Sequence, residues 1–108
     1  MIIRSAILEG VVADGDREAF DAYMRTEVLR ALTLYPGILR AVLREPVERE
    51  SGAPPIHMVF DLHFASLQAM HDALASPVRQ QVRERMAPWM KRFQGRVYHL
   101  VTEEHPAP

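Results

Sequence analysis

The eight residues from His57 to Phe64, HMVFDLHF, constrain the fold more than any other stretch of this chain. Read with a period of two, they place Met58, Phe60, Leu62 and Phe64 on one side and His57, Val59, Asp61 and His63 on the other. Successive side chains of a β-strand point to opposite faces, so this is a strand with one face almost purely apolar. The other face carries two imidazoles and a carboxylate. A chain built around such a strand needs a sheet with apolar cover on one side.

The rest of the chain supplies that cover. Ile2 to Val12 mixes β-branched and small residues and ends at the turn-forming VADGD, which reads as a first strand. From about Asp16 the period changes: Phe20, Tyr23, Met24, Val28, Ala31, Leu32 and Tyr35 recur at steps of three and four, the pattern of an amphipathic helix. Asp14 or Asp16 can cap its start, and Pro36-Gly37 stops it. Ile38 to Glu45 is a second strand, with Leu39, Ala41 and Leu43 opposed to Arg40, Val42 and Arg44. The polar, proline-rich PVERESGAPP, residues 46–55, is an exposed loop leading into the third strand.

Ser66 caps a helix that runs to Ala75. Ser76-Pro77, a cap followed by proline at the first helical position, starts the next. Val78, Val82, Met86, Trp89, Met90 and Phe93 form its apolar stripe. Pro88 is expected to bend or interrupt this segment and Gly95 to end it. Arg96 to Glu103 is the last strand.

The order β-α-β-β-α-β is satisfied by one four-stranded antiparallel sheet with its helices on one face, a ferredoxin-like α+β sandwich. At 108 residues the chain is expected to be a single domain over residues 1–104, with a tail, residues 105–108, that frays. The apolar row of the third strand lies under the helices, and the row of His57, Asp61 and His63 is left on the uncovered face.

Composition removes several functions. With no cysteine, thiolate metal sites, disulfides and cysteine nucleophiles are excluded. A formal net charge of −1 gives no basic footprint for nucleic acid or an anionic membrane. No run approaches the roughly 18 apolar residues of a membrane span, and a cytoplasmic setting is expected. No phosphate loop, dinucleotide fingerprint or nucleophile elbow is present, so no cofactor is expected.

The element order, the length and the stretch FDAYMRTEVLRALTLYPGILRA resemble the dimeric α+β barrel superfamily, and more narrowly the EthD-like family. In that family a first helix with the pattern Phe-x-x-Tyr leads to Leu-Pro-Gly and a strand. Here Phe20, Tyr23, Pro36 and Gly37 stand in those places, with Tyr35 where leucine is usual. FASLQAMHDALASP and FQGRVYHLVTEEH are similar to the family's second-helix opening and closing strand. The resemblance implies that two sheets pair across a two-fold axis and close a barrel, with ligands in or beside its lumen. One departure stands out. Family members often carry a histidine late in the first helix; this chain has Glu27-Val28-Leu29 there, so that histidine's role has no counterpart.

Within such a barrel the polar face of the third strand becomes the candidate site. Neighbours on one strand face lie about 7 Å apart, so His63 can act as a general base beside Asp61. The plainer reading is a polar sheet face bonded to water and to neighbouring strands. His57, at the loop end, is a candidate substrate contact and the one of the three most expected at the surface. Alternate residues of a single strand are too far apart to share a metal ion, so no metal site is assigned. Arg40 and Arg44 can bind a carboxylate or enolate, or pair with Asp61. Tyr98 and His99 point to opposite faces of the last strand, and only one can face the lumen. Tyr98 is a candidate hydrogen-bond donor, while the row Val97, His99, Val101 suits a packed face. Trp89, beside Pro88, is a candidate pocket wall, Tyr23 is read as packing, and His71 is read as a surface residue.

Two functions fit this reading. One is a small cofactor-independent enzyme, a homodimer acting on an apolar aromatic or lactone-like metabolite by histidine-assisted proton transfer, of monooxygenase, isomerase or cyclase type. The other is a non-catalytic homodimer that binds a small apolar ligand or serves as an accessory protein.

Overall fold

The apolar row of the third strand is where the helices meet the sheet. In the computed structural model, which describes residues 1–108, the elements run β1 (Ile2–Val12), α1 (Asp14–Tyr23), a π-helical turn (Met24–Val28), α2 (Leu29–Leu32), β2 (Arg40–Arg44), β3 (Ile56–Phe64), α3 (Leu67–Leu74), α4 (Val78–Met90) and β4 (Phe93–Glu103). The strands form one antiparallel sheet in the order β2-β3-β1-β4. Met58, Phe60, Leu62 and Phe64 of β3, with Leu8 of β1, are all buried and meet Phe20, Met24, Val28 and Leu32 from the first helix. Val12 of β1, Ala31 of α2 and Tyr35 after it, Met70 and Ala73 of α3 and Val82 of α4 complete the core. This is the ferredoxin-like α+β sandwich that the order of elements implied. No helix is long and apolar enough to cross a membrane.

The π-helical turn has a packing consequence. Residues 20, 24, 28 and 32 recur at steps of four, and in a regular α-helix each such step drifts roughly 40° around the axis. One wide turn absorbs part of that drift and keeps the row facing the sheet, with Phe20, Met24 and Val28 fully buried. The Thr26 hydroxyl donates to the Ala22 carbonyl at 2.8 Å inside this turn.

Several element ends differ from expectation. The first helix starts at Asp14 after Ala13 with no side-chain cap; Asp14 and Asp16 sit within its first turn, where negative charge complements the helix dipole. Ser66 does cap α3, accepting from the Ala69 N–H at 3.1 Å. Ser76 instead donates to the Ala73 carbonyl at 2.6 Å, closing α3, and α4 begins at Val78 after Pro77. Pro88 does not interrupt α4, which runs on to Met90. The missing N–H falls near the helix end, opposite the exposed Glu84, where water can take its place. Strand β2 is shorter than expected because Tyr35 to Ile38 form a turn: the Ile38 N–H donates to the Tyr35 carbonyl at 3.3 Å, with Gly37 at φ +77.

Gly95 lies inside β4 rather than at a helix end. It pairs with Gly10 of β1, and the two backbones approach too closely for side chains. A Cβ on Gly95, at φ +153, would fall 2.0 Å from the Glu9 carbonyl oxygen. Gly95→Ala should therefore cost about 1–3 kcal/mol, read as a lower urea midpoint with an unchanged slope. Gly15→Ala, with nothing within 4 Å of the new Cβ, should leave stability unchanged or slightly raised.

Candidate functional site

Cross-strand partners share a face of the sheet, so the register shows which residues meet. Arg40, His63 and Ile3 lie abreast, as do Val42, Asp61, Ser5 and Leu100, and Arg44, Val59, Ile7 and Tyr98. The face away from the helices thus brings together His63, Asp61, Arg40, Arg44 and Tyr98. Asp61 is its centre and is only 7% exposed although no helix covers it. The Ser5 hydroxyl donates to Asp61 Oδ1 at 2.5 Å, and Arg44 donates through Nε to Oδ2 at 2.7 Å. Burial pushes the Asp61 carboxyl up, but the bonds from Arg44 and Ser5, with Arg44 and His63 charge nearby, outweigh it and hold the group below the ordinary range. Both carboxylate oxygens are engaged by Ser5 and Arg44 rather than by His63. Tyr98 lies under the Arg96 guanidinium, 4.9 Å from its ring centre.

His57 and Trp89 lie elsewhere. The register between β1 and β3 slips beyond Leu8, which faces Met58 while Glu9 faces Ile56. His57 is the extra residue of this bulge and turns to the helix side, away from Asp61 and His63. Its Nε2 is 2.6 Å from Asp21 Oδ1 of α1, and its ring packs against Phe20 and Phe93, with the side chain only 17% exposed. The expectation of a surface histidine on the polar face is corrected by that bulge. Trp89 stacks on Tyr23 at 4.6 Å, under the Arg92 guanidinium, and so ties α4 to the first helix. His71 is exposed on α3, as read from the sequence.

A partly open hollow lies on the other side of the sheet, between it and the helices, with Arg83, Val97 and His99 on its exposed side. A cavity of about 180 Å³ is floored by Arg4 and Ala6 of β1, Phe60 and Leu62 of β3, and Val97 and His99 of β4. Val28, Leu32, Val82 and Met86 supply apolar wall, and Tyr35, Arg79 and Arg83 supply polar wall. The room exists because Ala6, a small residue, lies between Phe60 and His99 in the register. A larger hollow of about 480 Å³ lies along the 46–56 loop, but most of its walls are exposed and exclude little water.

The polar groups of the cavity are displaced from their ordinary chemistry. Burial, then the Arg4 and Arg79 charges, push the His99 imidazole down, so it stays neutral at lower pH than a free imidazole would. Burial pushes the Tyr35 phenol up and keeps it protonated. Burial and Arg79 lower the Arg4 guanidinium, which remains charged. An apolar cavity with convergent polar groups and displaced titration is the arrangement expected of a binding or catalytic site. Nowhere do three His, Asp or Glu side chains converge as metal ligands.

Of these residues, sequence reasoning singled out His99 only as the alternative to Tyr98. Arg4 had a signal: it is the one charged side chain on the row Ile2, Arg4, Ala6, Leu8. Tyr35 had another, standing where the resembling family has leucine.

The Asp61 pair has a measurable signature. Asp61→Ala should cost about 1–2 kcal/mol at pH 7, the low end of a charged hydrogen bond because Arg44 is largely exposed. With the folded-state value depressed below ~3.9, the contribution is present above that pH and lost as pH falls through the folded value. The gap between the urea midpoints of wild type and variant should therefore narrow at pH 3.

No family model and no curated protein sequence matches the chain. Solved structures do. An ethyl tert-butyl ether d (EthD) family protein from Bacillus halodurans superposes with a TM-score of 0.77 at 12% identity, over 97% of this chain and 100% of that one. A DABB family protein with a ferredoxin-like fold from Mesorhizobium loti gives 0.68 at 10% identity, over 97% and 98%. SnoaB, a cofactor-independent oxygenase from Streptomyces nogalater, gives 0.59 at 15% identity, over 98% and 94%. At these identities the likeness is one of fold. With its sheet order and helices on one face, the chain has a ferredoxin-like α+β fold, which these EthD, DABB and oxygenase structures share.

Proposed function

We propose that this protein is a small cofactor-independent enzyme whose helix-side cavity binds an apolar aromatic or lactone-like metabolite and moves a proton by means of His99. The observation that carries the reading is the meeting of buried Tyr35 with His99, on the exposed side of the same hollow, at a mainly apolar lining. Neutral His99 takes a proton from an acidic C–H or O–H of the substrate and becomes imidazolium. The electron pair left behind forms an enolate or phenolate, and Arg4, charged and partly buried, can stabilise that oxygen. Return of the proton to another atom is isomerisation, and attack on an internal electrophile is cyclisation. Electron donation to dioxygen as oxidant would begin a monooxygenation. The similarity to a cofactor-independent oxygenase supports this class of chemistry.

The open face of the sheet, with Ile3, Ile7, Val42, Val59 and half-exposed Leu100 around the Asp61 pair, is proposed as the contact between two copies of the chain. His63 and Arg40 then lie at or near that contact. A non-catalytic binding protein would use the same cavity. What favours it is that no protein side chain hydrogen-bonds His99 to orient its ring.

Wash-out of a carbon-bound deuterium label from 2-indanone, a ring ketone with acidic C–H bonds, tests both assignments. The wild type should exceed buffer by roughly 10²-fold or more, with His99→Gln losing the excess and His63→Gln keeping it. Loss in His63→Gln alone would place the chemistry on the open face. No excess in any variant would favour the binding protein. Because the folded-state imidazole value is depressed, kcat/KM should rise with pH through a midpoint below ~6.5. Light scattering should give twice the monomer mass.

A further inference from the structure

Most arginines of this chain have a carboxylate partner: Arg17 with Asp14, Arg25 with Glu45, Arg30 and Arg85 with Glu27, Arg44 with Asp61, Arg92 with Asp16 and Arg96 with Glu9. Arg4, Arg40, Arg49, Arg79 and Arg83 have none, and three of these, Arg4, Arg79 and Arg83, line the helix-side cavity. No acidic side chain lines that cavity. Arg4 is the most telling. It stands on the helix-facing row of β1, an interior strand, between Leu62 and Val101 in the register, and it makes no hydrogen bond with any other side chain. A partly buried charge without a partner is costly and needs one. Tyr35 points the same way: it is 95% buried, with 5% exposure, and its hydroxyl bonds no protein atom although it lines the same space. Three guanidinium groups without a carboxylate and one phenol without a protein partner, open to water rather than sealed, therefore surround a cavity whose remaining walls are mainly apolar.

We infer that the ligand of this cavity is an apolar carboxylate, with Arg4 and Tyr35 donating to its carboxylate oxygens and its ring system lying between Ala6, Phe60, Val82 and Met86. Arginine matches a carboxylate through two parallel N–H donors, which a lysine or a hydroxyl cannot do. Arg79 and Arg83, one helical turn apart on α4, add the long-range attraction that draws an anion to the mouth. At about 180 Å³ the cavity suits one substituted aromatic ring, since an apolar cavity of about 150 Å³ admits benzene. The location rests on the proposed function, but the ligand class does not require turnover. Bound carboxylate would also offset the two arginine charges that depress His99 and make it a stronger base.

The test is binding of three probes at low ionic strength, followed by NMR of the full chain and of Arg4→Gln: benzoate, its neutral isostere benzamide, and acetate as an anion without a ring. Benzoate should bind at least tenfold more tightly than benzamide or acetate. Arg4→Gln should remove that preference for benzoate over benzamide while its spectrum stays that of a folded protein. Tyr35→Phe, which keeps the ring and removes the donor, should weaken benzoate several-fold and leave benzamide unchanged. Benzamide binding as well as benzoate would mean an apolar pocket indifferent to charge and would overturn the inference. So would acetate binding as well as benzoate, equal preference in Arg4→Gln, or failure of all three to bind. Benzoate binding as described, with no deuterium wash-out by the wild type, would uphold this inference and remove the catalytic reading.

Discussion

Everything in this molecule depends on one packed seam. The row Met58, Phe60, Leu62, Phe64 lies against Phe20, Met24, Val28 and Leu32, and these buried side chains make up half the core. Each contributes on the order of 1.5–3 kcal/mol by leaving water. The seam fixes which face of β3 is inward, because a shift of one residue would exchange every side chain between faces. It also fixes where the cavity can be. Val28 and Leu32, the last residues of the seam on the helix side, form part of the cavity wall, while Ala6 withholds volume where a larger residue would have filled the space. The π-helical turn serves the same seam by keeping a four-residue repeat in phase.

The electrostatics divide between the two faces of the sheet. On the open face, Asp61 is saturated by Arg44 and Ser5, a closed arrangement with little capacity left for chemistry. On the helix side the charges are unbalanced, because Arg4, Arg79 and Arg83 meet no carboxylate. That imbalance depresses His99 together with burial. The saturated Asp61 pair and the three unpartnered arginines of the cavity thus lie on opposite faces of one sheet.

The fold was largely legible because its signals are periodic. The alternation in β3, the three- and four-residue steps of the first helix, and Ser66 as a cap each correspond to a local rule, and the structure follows them. The misreadings were at points where a tertiary contact overrode local chemistry. His57 obeyed the alternation in the sequence but left it in the structure, because a bulge gave it Asp21 and Phe20 as partners. Ser76 has the chemistry of a cap but closes the preceding helix, and Gly95 reads as a helix stop but serves the close approach to Gly10. The cavity was the least legible feature. Its polar residues come from β1, the turn after α2, α4 and β4, so no single window holds two of these segments. The eye goes to His57, Asp61 and His63 because they are adjacent, whereas Arg4, Tyr35 and His99 are brought together only by the sheet register and the Pro36-Gly37 turn.

The central claim is that the reactive environment lies on the helix side of the sheet, around His99. The most direct measurement is an NMR titration of all the imidazoles in the unliganded protein, each assigned by substitution. The account predicts that His99 titrates below the ~6.5 of a free imidazole. It also predicts that Arg4→Gln moves the His99 midpoint back up. A His99 that titrates at or above ~6.5 and ignores Arg4 would contradict it, leaving a solvated edge-strand residue in place of a site.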